Sequence, residues 1–249
     1  MEKEKIKKEI IEAAEITSRK PEEKELFKYL DQIRKSLEKE ADFEKAQGMA
    51  SYMRDQFSFY GLQAAERRKA LRKYMRQENR PEYSELEVII KKLWQLPERE
   101  FQYFAQELIL KYQKNYTEDI IELFEYMITN KSWWDTVDQI AKKLVGEYFQ
   151  LFPERRNEKI EEWLKSDNIW LKRTALLFQL GYKKKIDAQF LFDLIEELKD
   201  IDEFFIQKAI GWSLREYSKT EPIAVVKFTN THQLSALAKR EALKIVRKN

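Results

Sequence analysis

Apolar positions recur at three- and four-residue spacing along almost the whole chain. Between Asp119 and Met127 they are Ile120, Ile121, Leu123, Phe124 and Met127. Between Gln189 and Leu198 they are Phe190, Leu191, Leu194, Ile195 and Leu198. That period lays the apolar side chains along one stripe of an α-helix, so the pattern predicts amphipathic helices. Pro97, Pro153 and Pro222 interrupt it and mark breaks or first turns. Thr117-Glu-Asp and Ser166-Asp-Asn carry the side chains that cap helix N-termini. The first 20 or so residues read as a charged accessory helix with Ile6, Ile10, Ile11 and Ala14 on one stripe, suited to packing against the rest.

A longer period lies over the helical one. Lys131-Ser-Trp-Trp-Asp-Thr-Val-Asp, Ser166-Asp-Asn-Ile-Trp-Leu-Lys-Arg and Ile201-Asp-Glu-Phe-Phe-Ile-Gln-Lys share one plan: a polar turn, then aromatics, then charge. Each follows an amphipathic run, and Trp134, Trp170 and Phe205 are about 35 residues apart, a helical-repeat period. Pro97-Glu-Arg-Glu-Phe-Gln-Tyr-Phe reads as an earlier, diverged copy. Helix pairs at this spacing stack, because one pair alone cannot bury its apolar face. The expected fold is therefore all-α: an α–α superhelix of HEAT-like repeats over 1–249, whose second helices line a concave groove. Trp134, Asp138, Arg173, Phe205 and Trp212 would face that groove.

Composition agrees. Glycine and proline number five each, while 37% of residues are charged and 13% aromatic. Scarce turn-formers favour long helices over strands. Absence of cysteine excludes disulfides, iron–sulfur clusters and thiolate zinc sites. The single histidine, His232, falls in an inter-helix turn and cannot build a His-rich metal site, so neither metal nor cofactor is expected. The N-terminus lacks an apolar signal-like core, and no stretch reaches the roughly 18 apolar residues of a membrane span. A soluble cytoplasmic protein is expected. Net charge is +3 overall, but from Ile201 onward nine basic side chains face five acidic ones, a balance that suits a polyanion. The run Glu66-Arg-Arg-Lys-Ala-Leu-Arg-Lys-Tyr-Met-Arg is expected on one helix, either touching phosphates or simply solvated.

A groove holding a carboxylate, a guanidinium and two indoles suits a ligand that is, or becomes, cationic beside a phosphate. Each residue also has a plainer reading. Trp133 and Trp170 read as core, Asp138 as a solvated carboxylate or half of an ion pair, and Arg173 as a surface residue. Pattern alone does not name a reaction.

The same segments resemble the AlkD-type DNA alkylation repair family of HEAT-like glycosylases. The likeness runs from about Ala46 onward, through Ser51-Tyr-Met-Arg, Gly61-Leu-Gln-Ala-Ala-Glu-Arg-Arg, Leu96-Pro-Glu-Arg-Glu-Phe, Lys131-Ser-Trp-Trp-Asp-Thr-Val-Asp and the long block Glu203–Tyr217. The resemblance implies a catalytic aspartate at Asp138, active-site tryptophans at Trp134 and Trp212, and a lesion-side arginine at Arg173. It also implies DNA contacts at Gln63, Tyr52 and Arg215, with Phe205 beside them. The implied activity is excision of cationic N3- and N7-alkylated purines from double-stranded DNA by a monomer, without flipping the base into a pocket. A non-catalytic HEAT-repeat DNA-binding protein and a protein-interaction scaffold are the alternatives.

Overall fold

The amphipathic stripes become helices in the computed structural model, which describes residues 21–246. The accessory helix expected over residues 1–20 lies outside the described residues. Among the described residues there is no strand, only an isolated bridge between Ser58 and Glu98. The chain divides into two compact units between Ala105 and Gln106.

The first unit contains α1 (Pro21–Glu38), α2 (Phe43–Tyr52), α3 (Ala64–Ala70) and α4 (Leu86–Gln95), and α5 (Arg99–Ile109) begins in it. α4 buries Leu86, Ile89, Ile90 and Leu93, the 3/4 stripe its sequence carries. The last carbonyls of α4 have no intrahelical donor. Gln102 supplies one, its Nε2 lying 3.2 Å from the Leu93 and Trp94 oxygens and 2.9 Å from that of Leu96.

The basic run does not stay on one helix. α3 stops at Ala70, and Arg72–Met75 form a 3₁₀ turn. Leu71 and Tyr74 are both buried, and three residues per turn keeps this pair on one side. The Tyr74 hydroxyl donates to the Gln32 carbonyl at 2.8 Å. Arg67 is buried too, its guanidinium 4.8 Å from the centre of the Tyr103 ring.

The second unit is a succession of helix pairs. α6 (Ile120–Thr129) is followed by α7 (Trp134–Gln139), which passes through a π-helical stretch, Ile140–Val145, into α8 (Gly146–Leu151). Then come α9 (Arg155–Lys165) with α10 (Ile169–Leu177), α11 (Ala188–Leu198) with α12 (Phe204–Tyr217), and α13 (Pro222–Thr231) with α14 (Ala236–Ala242). Their starts follow capping chemistry. Asn168 Oδ1 accepts from the Trp170 and Leu171 amides at 2.9 and 3.3 Å, Asp187 Oδ1 from Phe190 at 3.1 Å, and Ser235 Oγ from Ala238 at 3.1 Å. Pro222 occupies the first turn of α13, where its missing N–H costs nothing. Thr117 instead donates to Asp119 and leaves α6 without a side-chain cap.

Phe124, Tyr148, Phe149, Trp163 and Phe178 form a chain of rings through this unit, with centroids 5.1–6.4 Å apart. Each such buried ring stabilises the fold by about 1.5–3 kcal/mol. Two of them carry polar ends, which are satisfied. The Tyr148 hydroxyl donates to the Glu118 carbonyl at 2.8 Å, and the Trp163 Nε1 to Glu125 at 2.7 Å. α12 and α14 cross closely at Gly211, where a Cβ would lie 2.5 Å from the Glu241 Cβ.

Candidate active site

The helix starts fix the register of the repeat. Trp133, Asn168 and Glu203 hold the N-cap positions of α7, α10 and α12. Trp134 is therefore matched by Ile169 and Phe204, one position before the aromatic pair Trp170 and Phe205. Five residues beyond each cap stand Asp138, Arg173 and Lys208. A position repeated every 35 residues thus carries opposite charges in neighbouring helices.

Asp138 and Arg173 meet. The Arg173 Nε donates to Asp138 Oδ1 at 2.7 Å and its Nη2 to Oδ2 at 2.9 Å. This side-on fork occupies both carboxylate oxygens. The remaining terminal nitrogen, Nη1, donates to the Phe205 backbone carbonyl. One guanidinium thereby joins α7, α10 and α12. The pair is almost enclosed, with the Arg173 side chain 5% exposed and that of Asp138 10%. Burial pushes the Asp138 carboxyl above the ordinary aspartate range; the hydrogen bonds and charge of Arg173 oppose that rise, and Asp135 adds slightly to it.

Aromatic rings stand beside the pair. Phe205, whose carbonyl Arg173 holds, packs its ring 5.2 Å from Trp133 and 4.9 Å from Trp170, and the two indoles are 5.8 Å apart. The Arg173 guanidinium lies 5.9 Å from the Phe205 ring centre. Trp133 and Trp170 are half-buried at the helix starts rather than deep in the core. Trp134 is half-buried in the first turn of α7, four residues before Asp138 and so on its face of the helix. Trp212 is half-buried on α12, two turns beyond Phe205 on the same stripe. The π-helical stretch begins two residues after Asp138; such wide turns are frequent at functional sites.

Arg215 is held in an ion pair. Its Nη1 lies 2.7 Å from Glu241, which also binds Lys208 at 3.0 Å. The Lys208 hydrogen bond above all, then that of Arg215 and the Lys208 charge, hold Glu241 below the usual carboxylate range against the upward push of burial. His232 caps the C-terminus of α13, stacked on Phe228 at 4.0 Å. No group of three or more potential metal ligands occurs among the described residues.

In the first unit, Tyr52 and Gln63 line one surface cavity with Lys45, Met49, Met53 and Phe59. Tyr52 ends α2 and is 72% exposed; Gln63 is the exposed N-cap residue of α3. The loop before Gln63 is fixed from below. Buried Glu100 accepts the amides of Tyr60 at 3.1 Å, Gly61 at 3.0 Å and Leu62 at 3.1 Å. Burial still pushes the Glu100 carboxyl up, against these donors. Gly61 has φ +90°, and a Cβ there would lie 2.0 Å from the Asp42 carbonyl oxygen.

In the second unit, sequence reasoning left Trp133, Trp170 and Lys208 outside the site; in the first, it passed over Glu100 beneath the Gln63 loop. The signal that finds Lys208 is the 35-residue step from Asp138 through Arg173. Glu100 lies inside the quoted Leu96–Phe101 segment, but its three amide partners carry no side-chain mark in the sequence.

A family model described as DNA alkylation repair enzyme matches residues 33–246. A search of curated proteins finds no match. Among solved structures, a predicted DNA alkylation repair enzyme from Enterococcus faecalis is similar at 35% identity, with a TM-score of 0.76. The likeness covers 83% of this chain and 96% of that one. The all-α helical-repeat class read from the pattern is thus shared with a solved relative, and the chain belongs to the DNA alkylation repair enzyme family.

Proposed function

We propose that this protein is a DNA glycosylase that hydrolyses the N-glycosidic bond of cationic N3- and N7-alkylated purines in double-stranded DNA, without inserting the base into a pocket. Alkylation at either nitrogen makes the purine a cation and a good leaving group. As the bond from C1′ to the base nitrogen breaks, its electron pair goes to the purine, which departs neutral. Positive charge builds on the sugar. Water adds to C1′ and loses one proton to solvent, leaving an abasic site. The task left to the protein is to stabilise that sugar cation.

The observation that carries this reading is the Asp138–Arg173 fork. It presents a carboxylate of fixed orientation in a nearly dry place beside aromatic rings. A preset negative charge needs no reorganisation when the cation forms, and low local polarity strengthens its effect. In this reading Trp134 and Trp212 lay ring faces against the damaged nucleotide's sugar. Arg173 orients Asp138, and only the N–H groups used neither in the fork nor on the Phe205 carbonyl are what it can offer to a phosphate. Tyr52, Gln63 and Arg215 contact the DNA backbone.

The test is release of 7-methylguanine from methylated duplex, assayed without added metal. Asp138→Asn is expected to bind the duplex as the wild type does and to lose at least about a hundredfold in single-turnover rate, the scale of removing one transition-state electrostatic partner. Release at the wild-type rate would remove Asp138 from the chemistry. No release by the wild type itself would favour the non-catalytic DNA-binding reading.

A further inference from the structure

A second surface carries charge without a use in the reading above. Lys183, Lys184, Lys185, Glu216, Tyr217 and Lys219 line one cavity, at the C-terminal ends of α10 and α12. Lys219 is paired with Glu216 at 2.6 Å. Lys183, Lys184 and Lys185 have no side-chain hydrogen-bond or ion-pair partner among the described residues.

The loop that carries them is firmly held. Lys183–Lys185 form a 3₁₀ turn entered through a left-handed Lys183, φ +54°. Buried Gln179 clamps its far end: Oε1 accepts the Asp187 amide at 2.8 Å and Nε2 donates to the Asp187 carbonyl at 3.3 Å. At the near end the Tyr182 hydroxyl donates to the Gly146 carbonyl at 2.6 Å. Arg156 pairs with Asp187 at 3.1 Å and supports the same end as Gln179. On a fixed backbone, three uncompensated cations can meet an anion with several charges without the cost of ordering the loop.

Position on α12 relates this cavity to the candidate site. Phe205, Trp212 and Glu216 lie at i, i+7 and i+11, one stripe of the helix. That stripe leads from the carbonyl gripped by Arg173 to the wall of the lysine cavity. From Phe205 to Tyr217 the axial distance is about 18 Å at 1.5 Å per residue. That step is of the order of one major groove, roughly 12 Å wide.

We propose that Lys183, Lys184 and Lys185 bind phosphodiesters of the same DNA duplex, on a backbone segment about one groove away from the damaged nucleotide. The proposal rests on DNA being the ligand but not on base excision. Each phosphate neutralised releases counterions and adds about 0.9 to the slope of log affinity against log salt.

The experiment is the affinity of the full chain for an undamaged duplex over a series of salt concentrations. The variant Lys183→Gln/Lys184→Gln/Lys185→Gln should lower the slope by about 2 to 3, at about 0.9 per phosphate. The corresponding triple arginine variant should keep it. Single-turnover base release at saturating protein should stay at the wild-type rate in both. An unchanged slope in a glutamine variant with wild-type thermal unfolding overturns the proposal. If the triple variant fails to fold, Lys184→Gln alone is read, with an expected loss of about 1. Loss of base release by the wild type with these slopes intact would sink the glycosylase reading and leave the phosphate site standing.

Discussion

Arg173 closes on both carboxylate oxygens of Asp138 from a helix 35 residues further along the chain, and its third bond reaches the backbone of Phe205. The arginine is therefore first a positioning group for the carboxylate. Removing it leaves Asp138 buried without a counter-charge. Arg173→Ala is expected to destabilise the fold by about 3–5 kcal/mol, the usual range for breaking a buried pair from one side. Arg173→Lys keeps the charge but not the fork. It should lose base release by more than its smaller stability loss would explain. Urea unfolding and single-turnover release on the same two variants check both statements.

The acid limb of the pH profile should carry the mark of burial. The ionised Asp138 is the form that stabilises a cation, so release slows as pH falls through its folded pKa. Burial raises that pKa above the ordinary aspartate value and Arg173 only partly pulls it back, so the limb is expected at higher pH than an ordinary aspartate would set. In Arg173→Gln the opposing pull is gone and the limb should move to higher pH. A profile flat down to pH 4, or a limb that moves down in the variant, contradicts this assignment.

Phe205 serves through two parts that can be separated. Phe205→Ala keeps the carbonyl that Arg173 holds but strips the ring from Trp133 and Trp170. A cost of roughly 2–4 kcal/mol is expected, at or below the usual range for truncating a core phenylalanine, because this ring is half-buried. Intrinsic tryptophan fluorescence should change as the two indoles lose their neighbour. Phe205→Leu should recover most of the stability.

The loop before Gln63 depends on one glycine and one glutamate. At Gly61 both the left-handed φ and the 2.0 Å approach to the Asp42 oxygen exclude a side chain. Gly61→Ala should cost several kcal/mol, beyond the 1 kcal/mol scale of an ordinary backbone penalty. Glu100→Ala leaves three amides without their acceptor and should cost at least about 2 kcal/mol. Thermal unfolding measures both, and near-native stability in either would refute this account of the loop.

Helices and their caps were legible because they depend on neighbours in sequence. The stripes at 120–127 and 189–198 became α6 and α11, and Asn168 caps α10 as its residue type foretells. The Trp134–Trp170–Phe205 spacing found the repeat but misread its register by one residue, since only the helix starts show that Trp133 is a cap. The break after Ala70 was hidden because apolar residues three apart satisfy an α-helix and a 3₁₀ turn equally. Within the site, the pairing of Asp138 with Arg173 could be suspected from the period. The Phe205 carbonyl and the Glu100 amides could not, because every residue has the same backbone groups.

The three-way bond of Arg173 also sets a mechanical tolerance. Standing on α10, it ties its nitrogens to α7 on one side and α12 on the other, and an axial slip by one residue is about 1.5 Å, more than a hydrogen bond can stretch. Repeat spacing then acts as a ruler for the site. Insertions in the connecting turns are harmless only while they leave that ruler unchanged, so a strain far out in the array can disarm the carboxylate without touching it.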